Sequence, residues 1–198
     1  MFSIKKPVRS EIHKYLETNR SSNFSYRDVG RTKDILVQRE DAADLNAYNV
    51  DHNRTVIGKG DEDWETTKKA VANWKMFDMP WVQLCWPDTA IAEGQTVAVL
   101  IRHFGFYSLN SAQIVYVIDE SNRFGFAYGT LADHGESGEE RFLVEMDANT
   151  REIWYDLYAF SKPNHFLSML GYPLTRILQK RFARDSKAAM IRATNDVA

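Results

Sequence analysis

The chain has 198 residues, of which 44% are hydrophobic, and its formal net charge is −2. This length and apolar content suit one well-filled domain and are too small for two, and the near-neutral charge provides no global field that would recruit nucleic acid or an anionic membrane. The single cysteine, Cys85, excludes an internal disulfide and suits a reducing compartment.

The first 23 residues predict an N-terminal extension on a single domain that covers residues 24–198. The extension lacks the apolar core of a signal peptide, and the narrow apolar stripe of Ile12, Tyr15 and Leu16 fits a short helix. The longest uncharged run, Phe104–Ile118, is too short to span a bilayer. We therefore predict a soluble, cytoplasmic protein. Residues 24–32 and 38–46 predict irregular structure.

The middle of the chain predicts one strand, one helix and then further strands. The first strand is Asn49–Gly58, and the helix starts at Asp61 and runs to about Met76, with a buried face that includes Trp64 and Val71 at helical spacing. Six more strands follow, and they are predicted at Trp81–Trp86, Gln95–Phe104, Ser111–Glu120, Arg123–Asp133, Glu139–Asp147 and Glu152–Ser161. The last three form an antiparallel meander, because turn-forming residues separate them.

The C-terminal segment predicts a long amphipathic helix that starts near Pro173. Its apolar stripe consists of Leu174, Ile177, Leu178, Phe182 and Ala189. The opposite face is basic and carries Arg176, Lys180, Arg181, Arg184, Lys187 and Arg192 against Asp185 alone. This face is either a docking surface or an ordinary solvated face, and the second interpretation is favoured.

These elements predict an α+β fold in which an antiparallel sheet of about seven strands curves around the C-terminal helix. An apolar sheet face must be covered, and a long amphipathic helix laid across it does this. Along Arg123–Asp133, bulky residues such as Phe126 and Tyr128 alternate with Gly125, Ala127 and Gly129. Helix and sheet therefore either enclose a ligand cavity or pack directly on each other, and both interpretations stay open.

Several strings of the sequence resemble uncharacterised protein family 0548, a domain-of-unknown-function family. They are Phe24–Gly30, Val50–Arg54, Val97–His103, Arg123–Thr130, His134–Phe142 and Arg181–Ser186. The order of elements is in turn similar to the helix-grip superfamily of START-related and polyketide-cyclase-like proteins. That resemblance implies an apolar ligand between a curved sheet and a C-terminal helix. Such domains usually have two short helices after the first strand, and the residues around Asp78–Trp81 are the candidate for the second.

Polar residues on the predicted strands supply the candidate ligand-binding site. His103 shares a strand face with Val97, Val99 and Ile101, and Glu140 shares one with Phe142 and Val144. A buried glutamate must be paired or protonated, so a partnership of Glu140 with His103 or Arg102 is one hypothesis, and a structural ion pair is the alternative. The candidate residues are His103, Arg102, Tyr128, Glu140, Tyr155 and Phe126.

The sequence shows no signature of metal binding or nucleophilic catalysis. The histidines form neither His-x-His nor His-Glu-x-x-His, and no Gly-x-Ser-x-Gly elbow is present. Asp133, His134, Glu136 and Glu139 surround one turn, but an ordinary polar turn explains them more simply. Cys85 fits a small core residue better than a nucleophile. We therefore predict no metal and no cofactor.

Three functions remain open at this stage, and the first is preferred. It is the binding of a hydrophobic small molecule or lipid, without a transmembrane segment. The second is an interaction module whose basic helix contacts a phosphate-rich or acidic partner, although the overall charge disfavours nucleic acid. The third is an enzyme of the cyclase or hydrolase type that would use His103, Glu140 and the tyrosines.

Overall fold

The structure is a computed structural model that describes residues 1–38, 45–164 and 172–195. Its strands are β1 (Phe2–Ser3), β2 (Asn49–Lys59), β3 (Val82–Cys85), β4 (Thr96–Arg102), β5 (Tyr107–Asp119), β6 (Arg123–Thr130), β7 (Glu136–Met146) and β8 (Glu152–Pro163). The helices within the described ranges are α1 (Arg9–Asn19), α2 (Arg31–Gln38), α3 (Gly60–Ala72) and α4 (Tyr172–Asn195), with a 3-10 turn at Lys75–Phe77.

The eight strands found in the described ranges belong to one antiparallel sheet. Seven of them follow the order β2-β8-β7-β6-β5-β4-β3, and β1 pairs with the start of β5. The sheet curls around α4, so the predicted α+β, helix-grip-like fold is confirmed. Each of the seven predicted strands is present, and β1 is an additional short one.

The inner face of the sheet carries the main core. Helix α3, the 3-10 turn and α4 all cover this face. Aromatic rings pack there: Phe126 lies 4.7 Å from Trp74 between ring centroids, and Phe77 lies 5.4 Å from Phe142. Helix α3 ends at Ala72, earlier than predicted, because Trp74 adopts a left-handed backbone conformation with φ of 56°. The second short helical element is thus the 3-10 turn, just before Asp78.

The outer face of the sheet is covered by the N-terminal part of the chain. Helix α1 buries Ile12 and Tyr15 against a cluster that includes Leu100 and Leu109. The tyrosine hydroxyl of Tyr15 also donates a hydrogen bond to Ser111 Oγ at 3.3 Å. The segment predicted as an extension therefore packs on β4 and β5, and its separation from the domain at residue 23 stays a prediction.

Helix α2 packs on the outer face of β7 and was not predicted. It is attached through polar groups: Glu139 accepts hydrogen bonds from the Tyr26 hydroxyl at 2.7 Å, from the Gly30 N–H at 2.7 Å and from the Thr32 N–H at 3.0 Å. The Thr32 hydroxyl also donates to this carboxylate. Ile35 and Leu36 add apolar contacts to this attachment. The helix has only eight residues, so its periodicity covers about two turns and is too short to stand out in the sequence.

A buried arginine continues this network along β7 and β8. Arg141 donates to Asp156 Oδ1 at 2.9 Å and to the Thr32 carbonyl at 2.6 Å. Asp156 also contacts His52 at 2.8 Å. Burial opposes ionisation of Asp156, but the hydrogen bonds from His52 and Arg141 keep the pKa of this carboxyl below its usual value.

A few sequence predictions fall outside the described residues. In the stretch Gln38–Asn46, which was predicted to be irregular, residues 39–44 lie outside the described ranges. His165 also lies outside them. The backbone of Pro173 and Leu174 belongs to α4, but their side chains are outside the description.

We predict that Glu139→Gln lowers the free energy of unfolding by about 3 kcal/mol, because an amide NH₂ would face donors that now bind a carboxylate. Urea unfolding followed by circular dichroism measures this change. The matched control is Glu17→Gln on the exposed side of α1, for which we expect a change of less than about 0.5 kcal/mol. A loss of stability no larger than the control's would contradict the structural role of Glu139.

Candidate functional site

A cavity of about 530 Å³ lies between the inner face of the sheet and α4. Strand alternation turns apolar side chains towards it from β3, β4 and β8, and the 3-10 turn and α4 add aromatic rings. The main apolar lining residues are Phe77, Trp81, Val99, Ile101, Leu157 and Phe182. This volume lies in the usual range for small-molecule sites, about 300–1,000 Å³.

A tyrosine–glutamate pair provides the central polar group of the cavity. Tyr128 on β6 lies directly opposite Glu140 on β7, and its hydroxyl donates to Glu140 Oε2 at 2.7 Å. Burial raises the pKa of Glu140 to about 7; the Tyr128 hydrogen bond opposes this shift, whereas the nearby carboxyls of Glu136 and Asp51 add to it. Burial also raises the pKa of Tyr128, so its hydroxyl keeps the proton that it donates. Glu140 is therefore poised to gain or lose a proton near neutral pH.

A second polar group links α4 to the sheet at the edge of the cavity. Gln179 on α4 donates to Glu136 Oε2 and, at 3.0 Å, to Ser161 Oγ. Arg176 binds Asp51 on β2 through two hydrogen bonds of 2.6 and 2.8 Å. Burial raises the pKa of Glu136, although the hydrogen bonds from Ser161 and Gln179 oppose this shift. Two carboxyls of the cavity thus have raised pKa values.

His103 lines the cavity where β4 turns into β5. Its ring stacks on Phe106 at 4.4 Å between ring centroids, and its Nε2 lies 2.7 Å from Ser108 Oγ. Burial lowers the pKa of His103, which favours the neutral imidazole. The hypothesised partnership of Glu140 with His103 or Arg102 is not formed, since the carboxyl of Glu140 is bonded to Tyr128 instead.

The other three candidate residues do not line the cavity. Arg102 is exposed at the end of β4 and points to the opposite side of the strand from Ile101. Phe126 is fully buried in the core beside Trp74. Tyr155 is also fully buried, and its hydroxyl lies 2.8 Å from Ser186 Oγ on α4. Burial raises the pKa of Tyr155, so it stays protonated.

The polar lining residues that sequence reasoning did not place in the cavity include Asp51, Glu136 and Gln179. Glu136 and Glu140 share one face of β7, and their even spacing would have shown this if the strand had been predicted to start at Glu136 rather than at Glu139. Asp51 and Gln179 come from other elements, so only the folded structure brings them to the cavity.

The described residues contain no group of three or more histidine, cysteine or acidic residues placed to hold a metal ion. Around the turn considered for a metal, Glu139 binds α2 on the outer face, whereas Glu136 lines the cavity on the inner one. Cys85 is buried away from the cavity, and burial raises its pKa to about 11. A thiol with such a pKa is a poor nucleophile.

Much of the basic face of α4 is used within the protein. Besides the Arg176–Asp51 pair, Arg181 stacks over the Trp81 ring at 4.6 Å. Lys187 donates to Asn53 Oδ1 at 3.3 Å, and Arg192 donates to the Asp78 carbonyl at 3.0 Å. Most of this face therefore fastens the helix to its neighbours. Across the described ranges, no helix has the length and apolarity needed to cross a membrane.

Comparisons with known proteins agree with the sequence resemblance. A sequence model of the family described as a domain of unknown function (DUF1990) matches residues 25–189. A UPF0548 protein of Dictyostelium discoideum is 36% identical over 206 residues, with 98% of this chain and 95% of the relative covered. A UPF0548 protein of Arabidopsis thaliana is 37% identical over 188 residues, with 89% and 90% covered. The predicted resemblance to uncharacterised protein family 0548 is thereby confirmed.

A search of solved structures found a similar fold at low sequence identity. A hypothetical protein of Helicobacter pylori has a TM-score of 0.53 at 10% identity, with 74% of this chain and 88% of that chain covered. A point mutant of norcoclaurine synthase from Thalictrum flavum has a TM-score of 0.45 at 14% identity, with 72% and 94% covered.

We predict that Glu140 makes the stability of the protein fall as pH rises between about 4.5 and about 7. Its pKa is raised from 4.5 to about 7 in the folded chain, so its stabilising contribution is complete below the lower value and is lost above the upper one. The total change is on the order of 3 kcal/mol. Urea unfolding of the wild type and of Glu140→Gln across this pH range measures it. Identical pH dependence in the two proteins would contradict the raised pKa.

Proposed function

We propose that this chain, which belongs to the DUF1990 family, binds an apolar small molecule or lipid in the cavity between its sheet and α4. The observation that carries the proposal is the cavity itself, about 530 Å³ with a largely apolar lining and a few polar side chains. Such a combination is typical of small-molecule sites, in which apolar contacts supply affinity and polar groups fix orientation.

The way α4 packs supports a cavity that persists without a ligand. The C-terminal half of the helix is packed tightly: Ser186, Ala189 and Met190 are buried, and Thr194 donates to the Ile57 carbonyl at 2.9 Å. The described N-terminal half has no buried residue before Ala183, and its inward side chains line the cavity. The polar contacts of Arg176 and Gln179 with the sheet then hold this half over the cavity. The helix is thus fixed at both ends of the space that it covers.

Binding is favoured over the two other functions that the sequence left open. The basic face of α4 is largely occupied by contacts within the protein, which weakens the case for a docking module. The polar groups of the cavity bond mainly to one another, and the one cysteine lies outside it with a raised pKa. We therefore propose binding without a catalytic step.

We predict that the uncharged fluorescent probe N-phenyl-1-naphthylamine binds the wild-type chain and gains emission on entering the cavity. Ala159→Phe should weaken this binding at least about tenfold, because Ala159 lines the cavity and a ring there would fill it. Fluorescence titration measures the affinity.

The control is Ala47→Phe, which places the same ring at an exposed turn position and should bind the probe like the wild type. Circular dichroism confirms that both variants are folded. Absence of probe binding to the wild type, or equal binding by a folded Ala159→Phe variant, would refute the proposed cavity function.

A further inference from the structure

We propose that the ligand carries a protonated amine on an apolar body, and that Glu136 and Glu140 bind this cationic head group. The inference rests on the binding function proposed above and names the chemical class of the ligand. It follows from the position of the two carboxyls in the cavity and from the partners that each of them has.

The two glutamates stand on one face of β7 with Gly138 between them. In the neighbouring strand β8, Ala159 lies opposite Glu140, and in β2 Asp51 lies opposite Ala159. All five residues line the cavity. The main chain of Phe160 closes onto Gly138, but the side chain of Ala159 is small, so this end of the cavity leaves room for a head group beside Glu140.

Of these three acidic residues, only Asp51 has a cationic partner within the described part of the chain. It is paired with Arg176 through two hydrogen bonds. Glu136 receives a neutral amide donor at Oε2, and its buried Oε1 has no hydrogen-bond partner among the described residues. Glu140 receives a neutral hydroxyl donor, that of Tyr128, also at Oε2. Each glutamate therefore holds one oxygen in a hydrogen bond to a neutral donor, and neither has an ion-pair partner among the described residues.

The other charged or titratable groups described near this end of the cavity do not form an ion pair with Glu136 or Glu140. Arg176 is close enough to lower the pKa of Glu136, but it is bonded to Asp51. Burial lowers the pKa of His103, which leaves this imidazole neutral. The Nδ1 atom of His134 accepts from the backbone N–H of Glu136, and Lys187 donates to Asn53. A buried carboxyl needs a counter-charge or a proton, so a cationic ligand would complete the site and an anionic ligand would be repelled.

Three probes of equal chain length separate the head group from the apolar body: decylamine, 1-decanol and decanoate. Each is titrated at pH 7.5 against N-phenyl-1-naphthylamine bound to the wild-type chain, and displacement gives its affinity. We expect decylamine to bind at least about tenfold more tightly than 1-decanol, because hydrogen bonds to charged groups are stronger than neutral ones. Decanoate should bind most weakly of the three.

The charge of the cavity is tested with Glu136→Gln and Glu140→Gln. In each variant the ratio of decylamine to 1-decanol affinity should fall to about threefold or less, since the cation loses a charged partner. Glu62→Gln removes the same charge from an exposed position in the first turn of α3 and should keep the wild-type ratio. Thermal unfolding of each variant confirms that it is folded.

The pH dependence provides an independent readout. Glu140 must be ionised to pair with an ammonium group, so the affinity for decylamine should fall as pH decreases from 8 to 5.5, through the pKa of about 7. The affinity for 1-decanol should stay constant over this range. In Glu140→Gln, the decrease for decylamine should be smaller.

The possible outcomes distinguish a failure of the proposed cationic head group from a failure of the proposed binding in the cavity. Equal affinity for decylamine and 1-decanol, tighter binding of decanoate, or an unchanged affinity ratio in both folded glutamine variants would overturn the cationic head group and leave apolar binding in place. If the naphthylamine probe fails to bind the wild-type chain at all, the proposed cavity function is wrong, and the inference falls with it.

Discussion

Strand β7 is buried on both faces, and the charged residues on each face depend on what packs against it. On the outer face Glu139 and Arg141 are 2% exposed. Tyr26 and Thr32 supply hydrogen bonds to Glu139, and Asp156 supplies an opposite charge to Arg141, whose Nε alone has no partner among the described residues. On the inner face Glu140 receives a neutral hydroxyl alone. One strand thus carries an arginine paired with a carboxylate on one side and a carboxyl without a counter-charge on the other.

The outer network also fixes the geometry of the inner site. The Arg141–Asp156 ion pair joins neighbouring strands and suits the register in which Arg141 lies opposite Tyr158. The same register places Glu140 opposite Ala159. A shift of one residue would turn Glu140 to the outer face and bring Glu139 into the cavity, because side chains alternate along a strand. The contacts that hold α2 against the sheet therefore help to keep Glu140 inside.

The sequence predicted the sheet and the C-terminal helix because both show strong periodicity. The same alternation put Glu140 on one face with Phe142 and Val144, and in the structure this is the inner face. Alternation gives the face of a residue but not its depth: Phe126 and Tyr128 share a face, yet Phe126 is covered by Trp74 and only Tyr128 reaches the cavity. Helix α2 was not predicted because its eight residues show only about two turns of periodicity, too few for the pattern of Ile35 and Leu36 to stand out. Asp51 and Gln179 were not predicted to line the cavity, because they are distant in sequence from the other lining residues and meet them only on folding.

The polar groups at the cavity edge combine structural and recognition roles without conflict. Gln179 occupies Oε2 of Glu136 and so helps to fix α4 to the sheet, while Oε1 of the same carboxyl is left without a partner among the described residues. A head group that bonds to Oε1 need not break the contact that positions the helix. In the same way, Tyr128 orients Glu140 through one oxygen. Carboxyls held in place before binding lose little conformational freedom when a ligand arrives, and this favours affinity and a defined orientation.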